Sequence, residues 1–297
     1  MGKAAFVALT GRPSVGKSTL VNLLCGGKVA IVSAVPQTTR NAVRGILTRP
    51  EGQLVFIDTP GRHASEKKLN RKLMDVADRA LDDSELILYV LDASRPPGPE
   101  EEAIAARLRD NQHRIVAAIN KCDAGGDPKT LHAFLDSHLP DLPLSRRFEI
   151  SCRKREGLDP LLACLFGMAG EGDALYPGEY YTDQDLSFRI SEIIREKAMN
   201  RLREELPHSI YVEVADAELR DADGKKRLWV RAFIITERES QKGMIVGKGG
   251  EMIKAIGQAA RKELNSIFEW KVDLDLRVKT GKDWRHNDRI LKKITGA

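Results

Sequence analysis

Residues 11 to 18 read Gly-Arg-Pro-Ser-Val-Gly-Lys-Ser, and the chain on either side of them leaves few folds open. The run Ala5-Phe6-Val7-Ala8-Leu9 is apolar without alternation, as a strand buried on both faces requires. After the loop, Ser18-Thr19-Leu20-Val21-Asn22-Leu23-Leu24 has helical apolar spacing that stops at Gly26-Gly27. A strand of that kind needs helices on both sides, so the opening implies a parallel sheet wound with helices. Gly11 and Gly16 let the main chain turn back with its N–H groups aimed into a hollow, and the helix N-terminus adds partial positive charge. The product is a cradle for phosphate, built from Gly11, Arg12, Pro13, Ser14, Val15, Gly16, Lys17, Ser18 and Thr19. Lys17 would bridge the β- and γ-phosphates, and the Ser18 hydroxyl would hold Mg²⁺.

Two later stretches define which nucleotide fits. Asp58-Thr59-Pro60-Gly61 follows the apolar run Leu54-Val55-Phe56-Ile57, which sets Asp58 at the C-terminal edge of a parallel sheet, where nucleotides bind. Asp58 would hold a water on the metal, and Gly61 would let a peptide approach the γ-phosphate. Asn120-Lys121-Cys122-Asp123 follows the strand Arg114 to Ile119. Guanine offers two adjacent donors on its Watson–Crick edge, and one carboxylate, Asp123, accepts both; adenine presents an acceptor there instead. An unpaired buried carboxylate costs on the order of several kcal/mol, enough to favour GTP over ATP strongly. Asn120 would tie the phosphate loop to this segment, and the main-chain N–H groups around Ser151 and Cys152 would donate to the guanine carbonyl oxygen. The motifs therefore describe a GTP/GDP pocket with Mg²⁺.

Strands are expected at 5–10, 43–49, 53–58, 86–91, 114–119 and 147–151, and helices at 17–25, 67–82, 99–110, 128–138 and 158–169. Pro50-Glu51-Gly52 is too short for a crossover helix, so 43–49 and 53–58 pair as an antiparallel hairpin at one edge. The fold class is α/β, a Ras-like doubly wound P-loop GTPase sheet with one antiparallel edge strand. Residues 1–170 form that domain, and 171–185, without periodicity, reads as a linker. Residues 186–297 form an α+β module, with a helix at 186–205, strands at 209–216 and 226–236, a helix at 250–265, a strand at 271–279 and a helix at 283–294.

In that module Ile245-Val246-Gly247-Lys248-Gly249-Gly250 leads into a helix bearing Ile253 and Lys254. A G-x-x-G loop at a helix entrance is how KH modules clamp single-stranded nucleotides. Its glycines permit close approach of the sugar-phosphate chain, Lys248 and Lys254 add charge, and Ile245, Val246 and Ile253 offer an apolar floor for bases. Residues 238–293 carry 14 basic and 8 acidic side chains, against 48 and 43 in the whole chain, as a polyanion surface needs. No stretch is apolar enough to span a bilayer, and the first strand begins too early for a cleavable leader, so a cytoplasmic protein is expected. The amphipathic segment at 186–205 leaves open whether it lies on membrane lipid or on its own domain. The four cysteines, at 25, 122, 152 and 164, lack metal or redox spacing and read as reduced apolar side chains. Cys122 and Cys152 would lie beside the base, where bound GTP slows their alkylation.

Nearly end to end, the chain resembles the Era family, bacterial GTPases with a C-terminal, type II-like KH domain. Gln37-Thr38-Thr39-Arg40 matches the family's first switch, Tyr176-Pro177 and Thr182-Asp183 its interdomain stretch, and Ser191 to Lys197 with Glu205-Leu206-Pro207 the start of its KH domain. The resemblance implies that Thr39 completes the Mg²⁺ shell when the γ-phosphate is bound. It also implies that the RNA is the 3′ end of 16S ribosomal RNA, that the partner is the 30S subunit during its assembly, and that the protein acts as a monomer, with peripheral contact at the inner membrane left open. Ser14 replaces the family's usual Asn, a ligand for a monovalent cation, which leaves potassium open. Arg62 stands where Ras-like enzymes carry a water-orienting glutamine.

The chemistry expected is slow hydrolysis by water, with Lys17, Thr39, Gly61, the loop N–H groups and Mg²⁺ positioning and neutralising the phosphates. Competing readings are a nucleotide-gated RNA scaffold without appreciable turnover, another ribosome-assembly GTPase, and a metabolic kinase, which would require a second small-molecule pocket and a lid.

Overall fold

The computed structural model describes every residue except 1, 34, 36, 37, 61 to 67, 223, 296 and 297. Gly61, Arg62 and Gln37 therefore lie outside the described residues. The chain divides into two compact units, one of Met1–Ala30, Thr39–Asp183 and Thr295–Ala297, the other of Ile31–Thr38 and Gln184–Ile294.

In the first unit, β1 (Gly2–Thr10), α1 (Lys17–Leu24), β2 (Val43–Arg49), β3 (Gly52–Asp58), α2 (Lys68–Asp82), β4 (Leu86–Asp92), α3 (Pro99–Leu108), β5 (Ile115–Asn120), α4 (Pro128–His138), β6 (Arg147–Glu149) and α5 (Leu158–Met168) follow in order. The strands lie as β2-β3-β1-β4-β5-β6, with β2 antiparallel to β3 at the edge and the other pairs parallel. The apolar runs are buried as their lack of alternation demands; every residue of β4 and β5 is buried. Register then does the positioning. Leu9 pairs with Asp58 and Asp92 with Asn120, so residues just past β1, β3, β4 and β5 meet at one edge of the sheet.

The stretch expected to be a linker is partly structured. Gly170–Gly172 forms β7, antiparallel to the start of β1. Thr182 bridges to Gly45, the Ile46 N–H donates to the Tyr181 carbonyl at 3.0 Å, and the Gln53 side chain accepts from the Tyr176 N–H at 2.8 Å and donates to its carbonyl at 2.9 Å. Main-chain bonding holds this segment, which is why apolar periodicity gave no sign of it.

The second unit runs α6 (Leu186–Met199), β8 (Tyr211–Ala222), β9 (Lys225–Thr236), α7 (Glu239–Val246), α8 (Glu251–Ile267), β10 (Lys271–Thr280) and α9 (Asp288–Thr295). Its sheet has the order β10-β9-β8, with β10 parallel to β9 and β9 antiparallel to β8, the arrangement of a type II-like KH fold. Helix α7 was not expected, because Gly243 interrupts its apolar pattern. Ile190, Ile193, Ile194 and Ala198 of α6 join Val230, Ile234, Ile256 and Leu264 in one buried cluster. Each such side chain contributes roughly 1.5–3 kcal/mol on burial, so the apolar face of α6 serves its own core and does not await lipid. Among the described residues no helix is long and apolar enough to cross a membrane.

Candidate functional site

The phosphate loop keeps its shape through its glycines. Gly11 has φ of 148° and Gly16 of 107°, and a Cβ on Gly16 would stand 2.4 Å from Asn120 Nδ2, so only glycine lets the two segments touch there. Asn120 uses that approach: its Nδ2 donates to the Val15 carbonyl at 2.8 Å, the tie expected between phosphate loop and base loop. Lys17 is buried, and its Nζ donates to the Gly11 and Arg12 carbonyls at 2.8 and 2.9 Å. Burial pushes its pKa down to about 8, against the pull of Asp58 and Glu101.

Ser18, Thr39 and Asp58 come together from three separate segments. Asp58 Oδ2 accepts from Ser18 Oγ at 2.7 Å and from Thr39 Oγ1 at 3.3 Å, and the two hydroxyl oxygens lie 3.2 Å apart. Asp58 is fully buried, and burial pushes its pKa up, opposed by the Ser18 bond, the Lys17 charge and the Thr39 bond. Its Oδ1 has no hydrogen-bond partner among the described residues. A buried carboxylate oxygen left over beside two hydroxyls is an oxygen donor set that suits a hard divalent cation such as Mg²⁺. Thr59 is buried with its hydroxyl donating to the Leu9 carbonyl at 2.7 Å, and Pro60 is buried after it.

At the other end, Asp123 accepts from Ser151 Oγ at 2.6 Å, a bond that holds its carboxyl below the usual range. Lys121, with φ of 66°, reaches Asp92 Oδ2 at 2.7 Å and the Ser14 carbonyl at 2.8 Å, so it braces the phosphate loop. Burial works to raise Asp92, but the bonds from Lys121 and Ser94 hold its carboxyl low. Asp92 went unnoticed in the sequence, although its place at the end of the apolar run of β4 repeats the context of Asp58 at the end of β3.

Four expectations change. The Arg12 side chain does not face the cradle; it turns inward to pair with buried Glu101, leaving its carbonyl for Lys17. The Ser151 N–H donates to the Glu156 carbonyl at 3.1 Å and the Cys152 N–H to Asn120 Oδ1 at 3.1 Å, so a guanine oxygen would have to share or displace these bonds. Burial pushes the Cys152 thiol up to about 12 and raises Cys122, which makes both poor nucleophiles for alkylation. Ile245 is fully buried in the core of its unit, so the apolar floor of the G-x-x-G loop reduces to half-buried Val246 and Ile253. Exposed Met244 stands one turn before the loop, a side chain sequence reasoning passed over.

In the G-x-x-G loop itself, Gly247, Gly249 and Gly250 have φ of 74°, 59° and 82°. A Cβ on Gly247 would come within 2.8 Å of Met252 Cβ, whereas Gly249 and Gly250 face open space. Lys248 and Lys254 are exposed. The turn thus presents glycine backbone open to close approach and two cations at the entrance to α8, as a phosphodiester backbone requires, while the Gly247 and Gly250 N–H groups donate to the Gly243 and Gly247 carbonyls.

Residues 6–121 match the family of 50S ribosome-binding GTPases, and residues 205–285 match the KH domain. The chain is 50% identical over 290 residues to GTPase Era of Treponema denticola, covering 97% of this chain and 98% of that protein. It is 43% identical over 294 residues to GTPase Era of Borreliella burgdorferi, covering 98% and 99%. Among solved structures, Aquifex aeolicus Era bound to GDP and tetrafluoroaluminate superposes with a TM-score of 0.92 at 35% identity, covering 98% of each chain. A complex of Era with MgGDPNP and nucleotides 1506–1542 of 16S ribosomal RNA gives a TM-score of 0.92 at 35% identity, covering 99% of each.

Proposed function

The chain belongs to the Era family of GTPases, and from that premise we propose that it is a GTP-driven switch that grips the 3′ end of 16S ribosomal RNA during assembly of the 30S subunit. It hydrolyses GTP to GDP and phosphate. The observation that carries the nucleotide half is the meeting of Ser18, Thr39 and Asp58 on one buried carboxylate oxygen, beside Lys17. Ser18, Thr39 and Asp58 would hold Mg²⁺, which when bound neutralises charge on the phosphate oxygens. Lys17 and the loop N–H groups fix the phosphates, and Asp123 selects guanine by accepting its two donors. The Lys121 ammonium already occupies the Ser14 carbonyl, which favours turnover that does not depend on potassium.

The RNA half is supported by the G-x-x-G turn with exposed Lys248 and Lys254, and by the RNA fragment bound to the 35% identical relative. The test measures multiple-turnover phosphate release with and without 30S subunits, alongside capture of an oligoribonucleotide matching the 16S 3′ end by the GTP-loaded and GDP-loaded protein. Expected are slow turnover that subunits alter and RNA capture that depends on which nucleotide is loaded and is lost in Gly249→Asp. Capture equal for unrelated RNA would overturn the partner, and absence of turnover would leave a scaffold.

A further inference from the structure

Glu101 belongs to none of the nucleotide motifs, yet it lies beneath the phosphate loop. It stands in the first turn of α3, is 0% exposed, and its carboxylate pairs with the Arg12 guanidinium, whose Nη atoms also reach the Pro96 carbonyl at 3.5 Å. Tyr89 of β4 is 0% exposed and feels both charges. Neither its hydroxyl nor Glu101 Oε1 has a hydrogen-bond partner among the described residues.

Desolvating an ion pair returns less than an apolar pair of the same size, so packing alone gives no reason for Arg12 and Glu101 to be buried together. What the pair holds gives one. The Arg12 carbonyl is one of two acceptors that fix Lys17 Nζ.

We propose that Glu101 is a positioning residue for nucleotide binding, which anchors the Arg12 side chain so that the Arg12 carbonyl aims Lys17 into the phosphate cradle. The inference rests on the phosphate loop being the GTP site. The charged and titratable groups that face Glu101 are Arg12 of the loop, Tyr89 of β4, Arg95 after β4, Glu100 of its own helix and Lys17 of α1. Burial pushes Glu101 up to about 7, against Arg12 and Arg95, so its charge fades as the solution is acidified through that value.

GDP affinity, KM and kcat for GTP are measured on the full chain for wild type, Glu101→Gln, Glu101→Asp and the double variant Arg12→Met/Glu101→Leu, with thermal unfolding in the absence of nucleotide as the control for folding. Glu101→Gln frees the Arg12 guanidinium and loosens the carbonyl that holds Lys17 Nζ, so it is expected to bind GDP about tenfold more weakly, with KM rising more than kcat falls. Glu101→Asp recovers most of the affinity. The double variant melts no lower than wild type and still binds weakly. Between pH 8 and 6 the wild type loses affinity relative to Glu101→Gln, the titration of GDP itself being common to both. Wild-type affinity in the folded double variant, or an unchanged KM in Glu101→Gln, would reduce the pair to packing and overturn the proposal; the double variant decides alone should Glu101→Gln not fold. A wild-type chain without affinity for GDP would instead overturn the nucleotide reading beneath it.

Discussion

Asn120→Ala removes two bonds that no neighbouring side chain can replace. The Val15 carbonyl loses its donor at 2.8 Å and the Cys152 N–H its acceptor at 3.1 Å. Each unmade bond of a buried group costs about 1–3 kcal/mol. Val15 is 0% exposed and takes the upper half of that range, whereas Cys152 is half-buried, where water can reach it, and takes the lower end. The sum is about 3 kcal/mol of stability in the first unit. Urea unfolding followed by far-ultraviolet circular dichroism reads both units, and tryptophan fluorescence reads the second alone, because Trp229, Trp270 and Trp284 all lie there. The expected result is an earlier dichroism transition with an unchanged slope and an unmoved fluorescence transition. Saturating GDP, which stabilises wild type by mass action, should raise the variant's midpoint less. A dichroism midpoint within about 0.5 kcal/mol of wild type would refute the claim that Asn120 holds the phosphate and base loops together.

Two further outcomes follow from the same geometry. Because burial lowers Lys17 from 10.5 to about 8, the unfolded chain binds more protons between those values; the cost of burying the charge is therefore full below about pH 8 and fades toward 10.5, while affinity of the free protein for GDP declines above pH 8. Titration calorimetry across pH 7 to 10 should show a steeper alkaline limb in wild type than in Lys17→Met, the loss of the guanine N1 proton being common to both, and equal limbs would contradict the assignment. In the G-x-x-G turn, Gly247→Ala forces a Cβ within 2.8 Å of Met252 Cβ, whereas Gly249→Ala meets open space and bears only the strain of its φ of 59°, about 1 kcal/mol. Fluorescence anisotropy with a labelled oligoribonucleotide should therefore find Gly247→Ala the weaker binder with GTP turnover intact; equal losses would show that approach of the backbone, not the shape of the turn, limits binding.

What the sequence disclosed and what it concealed divide along physical lines. Apolar runs and glycine-bearing loops are local, so the strands before Gly11, Asp58 and Asn120 were legible, and with them the edge where these residues meet. The direction of a long side chain is not local. Arg12 reads as one more phosphate ligand until α3, some ninety residues on, supplies a buried carboxylate beneath it. The same holds for Ile245, whose apolar character fits a binding floor and a core equally until the register of β9 and β10 encloses it. Segment 170–183 was missed for another reason: β7 is Gly-Glu-Gly, and main-chain pairing leaves no mark on hydrophobic periodicity.

Apart from Asp58 Oδ1, the polar side chains described at the site are bonded within the protein, and this governs how specificity can arise. Lys17 is held by two carbonyls, Asp58 by two hydroxyls, Asp123 by Ser151 and the Cys152 N–H by Asn120. For each of these groups a contact to a nucleotide replaces a bond the protein already makes, so its net worth is a difference of about 1 kcal/mol, not the gross strength of a new bond. On the proposed role of Asp123, a base without two adjacent donors gains nothing from displacing Ser151, because it returns no donor in exchange. Discrimination therefore grows from the loss a poor ligand imposes, and the closer the pocket is to self-satisfaction, the steeper that loss becomes.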